Sequence, residues 1–143
     1  MKRLMSIITI AILVATITLE ALPYGAVLNF AIAPDAGGGY IRETFSYFSL
    51  TPFGYASFGP LLTAVMSVVL LVLLIIWIFA NKAGLITASF VCCVIAFATS
   101  LMPVLYGVEY LSVIGIIISL LFAVDLIIIW NLRRLHNKGA DQK

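Results

Sequence analysis

The sequence contains very few charged residues. Lysine, arginine, aspartate and glutamate make up 10% of its 143 residues, whereas 64% are hydrophobic. Soluble globular domains carry roughly 25% charged residues and are about half apolar. The composition therefore excludes a soluble globular domain, and the mean hydropathy of +1.21 is typical of a chain that lies in a membrane.

Cysteine and histidine are also scarce, which limits the chemistry available. The only cysteines are the adjacent Cys92 and Cys93, and the only histidine is His136. Neighbouring positions on a helix point about 100° apart, so a disulfide between the two cysteines is not expected. A zinc site, a catalytic triad and a phosphate-binding loop each need residue sets that the sequence lacks. We expect no metal, no cofactor, no catalytic residues and no enzyme activity.

Long apolar runs are the main positive feature. Four of them cover about 4–22, 60–80, 84–105 and 110–130. Each is close to the roughly 20 residues that an α-helix needs to cross a bilayer. The sequence predicts an all-α membrane protein, with residues 1–143 forming one transmembrane domain that is a bundle of four helices.

The basic residues predict the orientation of these helices. Seven of the eight lysines and arginines lie before the first run, between the second and third, or after the fourth, and Arg42 alone lies on the opposite side. Basic residues accumulate on the cytoplasmic side of membranes. We expect a multi-pass protein of the cell (plasma or inner) membrane with both termini cytoplasmic, and a tail over 131–143 in which His136 is solvated. A secretory signal also begins with basic residues before an apolar run, but the length of this run favours a retained helix.

The only substantial loop covers residues 23–59 and is expected on the outer side. The stretch 34–39 contains proline and three consecutive glycines, which predicts a flexible hinge without regular structure. In 40–50, Ile41, Phe45 and Phe48 recur at i, i+4 and i+7, which predicts a short amphipathic helix lying on the membrane surface. Thr51 and Pro52 should end it, because a residue before proline avoids the helical conformation.

Aromatic residues are concentrated at the end of this loop. Rings with one polar edge prefer the headgroup level of a membrane, so a cap over the bundle explains them without a ligand. An exposed apolar patch is also typical of a docking surface for a partner or a lipid. The six residues are Phe45, Tyr47, Phe48, Phe53, Tyr55 and Phe58.

Two acidic residues are predicted inside the spans, where ionisable groups are costly and often functional. Glu20 lies close to the outer end of the first run, where we expect water to reach it and Arg42 to pair with it. Alternatively, Glu20 binds a proton or cation, with Glu109 nearby. Asp125 lies deeper and should face the bundle or extend toward basic residues at the inner boundary. It is either a structural anchor or a functional acid.

Small and hydroxylated residues within the runs predict contacts between helices, because close backbone approach drives helix association in lipid. The candidates are Thr9, Thr16, Thr63, Ser67, Gly84, Ala88, Ala96, Ser100, Ser112, Gly115 and Ser119.

Two resemblances concern the layout and the loop. The long first outer loop and short second one resemble the layout of claudin-type tetraspan junction proteins, although this loop lacks the cysteine pair and the tryptophan of that family. The stretch 43–55, ETFSYFSLTPFGY, is similar to loops of small uncharacterised bacterial four-span integral membrane proteins. The second resemblance implies a four-span membrane protein and no particular activity.

These observations favour a non-catalytic membrane protein that is a structural, accessory or regulatory subunit of a membrane assembly. One alternative is a small transporter or channel subunit that uses Glu20 and Asp125. Another is a lipid-binding protein that uses the aromatic loop. The expected partners are the lipid bilayer and either a membrane protein or a second copy of the chain, and nucleic acid is not expected.

Overall fold

The computed structural model describes residues 2–140, which are mostly helical. Four helical segments are long and apolar enough to cross a membrane: Lys2–Ala21, Phe58–Ala80, Ala83–Tyr106 and Val113–Lys138. The prediction of four helices of membrane-spanning length is therefore confirmed. In chain order, the elements are α1 (Lys2–Ala21), β1 (Ala26–Ala31), β2 (Tyr40–Phe45), α2 (Leu50–Gly54), α3 (Phe58–Ala80), α4 (Ala83–Ser100), α5 (Pro103–Tyr106) and α6 (Val113–Ala140).

The four long helices form a bundle in which α1 and α4 each pack against both α3 and α6. The buried residues of α1 are spaced alternately by three and four positions. This spacing is typical of left-handed bundles, in which side chains of one helix fill holes on the next. Polar side chains on this face are therefore held inside the bundle. The buried residues of α1 are Ser6, Thr9, Leu13, Thr16 and Glu20.

The start of α3 packs very closely against the end of α4. A Cβ atom on Gly59 would lie 2.8 Å from the backbone oxygen of Thr99 and 2.9 Å from Cβ of Met102. The hydroxyl of Thr63, one turn later, bonds the hydroxyl of Thr99 at 2.9 Å. Only glycine fits at position 59, and this contact fixes the angle at which the chain enters the bundle.

α6 is longer than the fourth apolar run. It continues past Trp130 to Ala140, through part of the stretch expected to be a tail. The spacing of buried residues explains this, because Asp125, Ile129 and Leu132 still follow the alternation of three and four. The end of α6 therefore packs against the bundle as a continuous helix.

The loop between α1 and α3 contains a β-hairpin, so the all-α prediction is wrong there. β1 and β2 pair antiparallel, with Ala26 opposite Phe45 and Ala31 opposite Tyr40. The helix predicted over 40–50 is thus a strand as far as Phe45. A short segment with apolar residues at i and i+4 does not distinguish helix from strand, and here β1 supplies backbone partners for a stretch rich in aromatic and β-branched residues.

The predicted hinge and the predicted helix stop also have different structures. Residues 34–39 form the tip of the hairpin, with a 3-10 turn at Pro34–Ala36 and three glycines at positive φ. The helix α2 then includes Pro52 instead of ending before it, because proline in the first turn gives up no helical hydrogen bond. The side chain of Ser49 caps this helix by accepting a bond from the Thr51 N–H at 3.2 Å.

Candidate functional site

We call the two ends of the bundle the hairpin end and the basic end. The hairpin end carries residues 22–57. At the opposite end, the start of α1 and the end of α3 line one cavity, and the ring of His136 on α6 lies 6.2 Å from that of Trp77 on α3. The basic end therefore collects Lys2, Arg3, Lys82, Arg133, Arg134 and Lys138.

Tyr47 anchors the hairpin to the bundle. Its side chain is 1% exposed, and its backbone N–H donates to the carbonyl of Glu20 at 2.8 Å. Its ring lies against Gly25, where a Cβ atom would come within 2.9 Å of Cδ1, and its hydroxyl lies beside Gly115. Burial, reinforced by the nearby Glu20 carboxylate, raises the pKa of the Tyr47 phenol. The phenol therefore keeps its proton over the physiological range.

Two further contacts connect the hairpin end to the start of α6. The hydroxyl of Ser112 donates to the Gly25 carbonyl and accepts a bond from the Gly115 N–H at 2.8 Å. The guanidinium of Arg42, on β2, donates to the Leu111 carbonyl at 2.9 Å. The hairpin is thus tied to the bundle on several sides and has a fixed position.

Glu20 lies below this anchor and is fully buried. One carboxylate oxygen accepts a bond from the Ser67 hydroxyl at 2.6 Å, while Oε1 has no hydrogen-bond partner among residues 2–140. The expectation that water reaches Glu20 is wrong, because Glu20 occupies the inward face of α1. The predicted pair with Arg42 is also wrong, since Arg42 bonds the carbonyl of Leu111 instead.

The other two predicted acids lie in different surroundings. Glu109 is exposed, in a 3-10 turn between α5 and α6. Asp125 was expected either to face the bundle or to extend toward basic residues. It is fully buried and faces the bundle. Neither of its carboxylate oxygens has a hydrogen-bond partner in the described part of the chain. The structure therefore places Glu20 and Asp125 in the interior, on α1 and α6, and leaves Glu109 outside it.

The six predicted loop aromatics do not form one surface cluster. Tyr47 is the buried anchor, and Phe45 is half-buried beside it. The other four are exposed. Three of them form local ring pairs: the rings of Phe53 and Phe58 lie 5.0 Å apart, and the ring of Tyr55 lies 5.1 Å from that of Phe30 on β1. Further exposed apolar residues at the hairpin end are Tyr24, Tyr40, Ile41 and Leu50.

Most of the predicted helix contacts are in the interior. The exceptions are Gly84 and Ala88, which are exposed near the start of α4, and a Cβ atom on Gly84 would meet nothing within 4 Å. Their spacing alone could not show which face of the helix they occupy. The buried candidates are Thr9, Thr16, Thr63, Ser67, Ala96, Ser100, Ser112, Gly115 and Ser119.

Sequence reasoning missed the aromatic packing at the basic end. His136 was expected to be solvated, but it is only partly exposed and packs edge-on against Trp77. The guanidinium of Arg133 lies 5.4 Å from the centre of the Phe90 ring, a cation–π distance. The sequence did contain a signal for this packing. The alternation of three and four positions between inward residues continues beyond Ile129, and it places Leu132 and His136 on the inward face of α6.

Two cavities open at the basic end. The larger has a volume of about 580 Å³ and lies between α1 and α3, where Lys2, Arg3, Trp77, Phe79 and Asn81 contribute to its lining. The smaller, about 340 Å³, lies along the end of α6 between Trp130 and Lys138.

Comparisons found no matching family model, no similar curated protein and no similar solved structure. The fold itself defines a helical protein with four helices able to span a membrane.

Proposed function

We propose that the protein is a non-catalytic accessory or regulatory subunit of a membrane assembly, and that its hairpin end is the surface that contacts the partner. The observation that carries this proposal is the anchored hairpin. Tyr47, Ser112 and Arg42 hold it against the bundle. A surface that is already ordered loses little conformational entropy when a partner binds.

The exposed side of the hairpin has the composition of a contact surface. Tyr40 is 75% exposed and Ile41 is 53% exposed. The sheet contains two strands in the described residues, so each strand has one edge without a strand partner. Open edges and exposed aromatics are both common features of protein contacts.

The arrangement of charges supports the proposed orientation. The three groups of basic residues, at the start of α1, between α3 and α4 and near the end of α6, lie at the same end of the bundle. Under the positive-inside rule this end is cytoplasmic and the hairpin end is outside. The proposal therefore places the contact surface on the outer side of the cell membrane.

Photo-crosslinking in cells tests the proposal. A photoreactive phenylalanine at Tyr40 or Tyr55 should give the same discrete crosslinked protein from both positions. Val72 on α3, exposed in the middle of a span, is the matched control and should give lipid adducts only. Lipid adducts from all three positions would contradict the proposal and favour lipid binding. Crosslinks only to a second copy of the chain would contradict a partner of another kind.

A second candidate function is supported by the two buried acids. Glu20 and Asp125 lie inside the bundle, and each has at least one carboxylate oxygen without a partner among the described residues. Buried carboxylates of this kind occur in proton and cation pathways. We therefore propose, as the alternative, a small transporter or channel subunit.

Ion flux into proteoliposomes separates the two functions. In the transport hypothesis, Glu20→Gln and Asp125→Asn each abolish proton or cation flux, while Glu109→Gln, the same change at an exposed acid, leaves the flux intact. Absence of flux through the wild-type protein, or flux that is unchanged in both variants of the buried acids, would refute transport by these residues.

A further inference from the structure

We propose that the protein binds an anionic phospholipid in the cavity between the start of α1 and the end of α3. This inference goes beyond the proposed function, because it concerns the basic end and not the hairpin end. The cavity, of about 580 Å³, combines a cationic rim with an apolar wall. Pockets of basic residues between membrane helices bind anionic headgroups by this combination.

The cationic rim consists of Lys2 and Arg3. Both are exposed and both line the cavity. Asn81 adds a side-chain amide that can donate to headgroup or ester oxygens, while the Ser6 hydroxyl donates to the Lys2 carbonyl at 2.9 Å. No acidic residue lines the cavity among the described residues. An anion entering this site therefore meets two positive charges and is not repelled.

The apolar wall favours a lipid over a soluble anion. Ile7 on α1 and Phe79 on α3 line the cavity and are 63% and 85% exposed. Both lie within the candidate spans Lys2–Ala21 and Phe58–Ala80, so they are close to the boundary of the hydrocarbon region. An acyl chain attached to the bound phosphate would pack along these side chains, whereas a free phosphate would make no apolar contact with them.

Trp77 adds an aromatic residue to the cavity wall. It lines the cavity, yet it is 4% exposed, and its indole N–H is buried without an acceptor in residues 2–140. A buried donor without a partner is costly. The nitrogen is enclosed by protein atoms and lies out of a ligand's reach in this conformation, so the cationic rim and the apolar wall are what select the lipid.

Tryptophan fluorescence offers a direct test, since the chain contains two tryptophans. Trp130→Phe leaves Trp77, at the cavity, as the only tryptophan, and excitation at the red edge of its absorption avoids the tyrosines. The full chain is placed in nanodiscs of phosphatidylcholine that contain a small fraction of brominated phosphatidylglycerol or the same fraction of brominated phosphatidylcholine. Bromine quenches nearby tryptophan, so stronger quenching by the phosphatidylglycerol is expected if the anionic lipid occupies the cavity.

Charge variants then identify the site. Each cation that contacts a bound anionic headgroup should change the affinity by about fivefold, so Lys2→Gln with Arg3→Gln should weaken the preference for phosphatidylglycerol by about 30-fold. Arg134→Gln removes a positive charge at the same end but does not line this cavity, and it should leave the preference almost unchanged. Circular dichroism of each variant checks that the helices are intact.

Three results would overturn the proposal. Equal quenching by the two lipids would show no preference for the anionic headgroup. A preference that survives the double substitution, or that falls as much with Arg134→Gln, would show general surface attraction instead of a site. Complete displacement of brominated phosphatidylglycerol by an equal concentration of soluble glycerophosphoglycerol would show that the apolar wall contributes nothing.

Discussion

Replacing Gly25 with alanine tests whether Tyr47 holds the hairpin on the bundle. The new Cβ atom would lie 2.9 Å from Cδ1 and 3.0 Å from Cε1 of the Tyr47 ring. The ring has little room to move away, because it is buried and its hydroxyl lies beside Gly115. The backbone at Gly25 is also held, by its N–H bond to Phe45 and by the bond that its carbonyl accepts from Ser112.

The size of the effect follows from two opposing terms. Overpacking a buried site costs about 1–3 kcal/mol. Alanine also restricts the unfolded chain, which stabilises the folded state by about 0.4–1 kcal/mol where the backbone conformation suits it. Gly25 is not among the glycines with positive φ, so this second term applies. We expect Gly25→Ala to lower the free energy of unfolding by between about 0 and 2.6 kcal/mol, with a central value of about 1.3 kcal/mol.

A double-mutant cycle with Tyr47→Ala isolates the contact. Tyr47→Ala alone should cost about 3–5 kcal/mol, as for other large buried aromatics. In that background the obstructing ring is gone, so Gly25→Ala should be neutral or slightly stabilising. The free energies are measured by titration with dodecyl sulfate in mixed micelles, and hydrogen exchange of β1 and β2 reports on the hairpin.

The outcome that refutes this reasoning is additivity. If Gly25→Ala costs the same with and without the Tyr47 ring, the contact does not hold the hairpin. Exchange in β1 and β2 that is unaffected by Tyr47→Ala would lead to the same conclusion.

Three further predictions concern the interior. Ser67→Ala removes the hydrogen bond to Glu20, so that neither carboxylate oxygen of Glu20 has a partner among the described residues. The free energy of unfolding in the same titration should fall by about 1–3 kcal/mol. An unchanged value would show that this bond contributes no stability. Gly59→Ala places a Cβ atom 2.8 Å from a backbone oxygen of α4 and should lower the free energy of unfolding by about 1–3 kcal/mol. The control Gly84→Ala meets open space and should be neutral or stabilising by up to about 1 kcal/mol. Equal effects of the two substitutions would contradict the close approach of α3 and α4 at Gly59. Asp125→Leu removes a buried carboxyl group that has no partner among the described residues. It should raise the melting temperature, because a buried polar group without a hydrogen bond costs about 1–3 kcal/mol. A lower melting temperature would show that the acid anchors the bundle.

The number of spanning helices could be predicted from the sequence because each helix satisfies its own backbone hydrogen bonds. In a hydrocarbon environment a continuous apolar run of sufficient length has few alternatives to a helix. The inward position of Thr16 and Ser67 was predictable for a related reason, since small and hydroxylated residues allow helices to approach closely. The same rule did not apply to Gly84, because it lies in the exposed first turn of α4.

The loop could not be predicted in the same way, because a strand depends on a partner that is distant in the sequence. Tyr40–Phe45 becomes β2 only because Ala26–Ala31 lies beside it, and the intervening glycines turn the chain back. The periodicity of residues 40–50 is too short to exclude either conformation. The aromatic residue that anchors the hairpin, Tyr47, was named in a set of six, but its distinct role depends on Gly25 and Gly115, which come from different parts of the chain.

The sequence by itself determined that this is a membrane-type helical protein and that most of its basic residues are collected at one end. Composition and run length suffice for those conclusions, because both are properties of contiguous segments. Only the tertiary structure decided which charged groups meet. It separated Glu20 from Arg42, paired Glu20 with Ser67 and left Asp125 buried without a partner among the described residues. It also brought Lys2 and Trp77 to one cavity. These are contacts between residues far apart in the chain, and their geometry depends on how the helices pack.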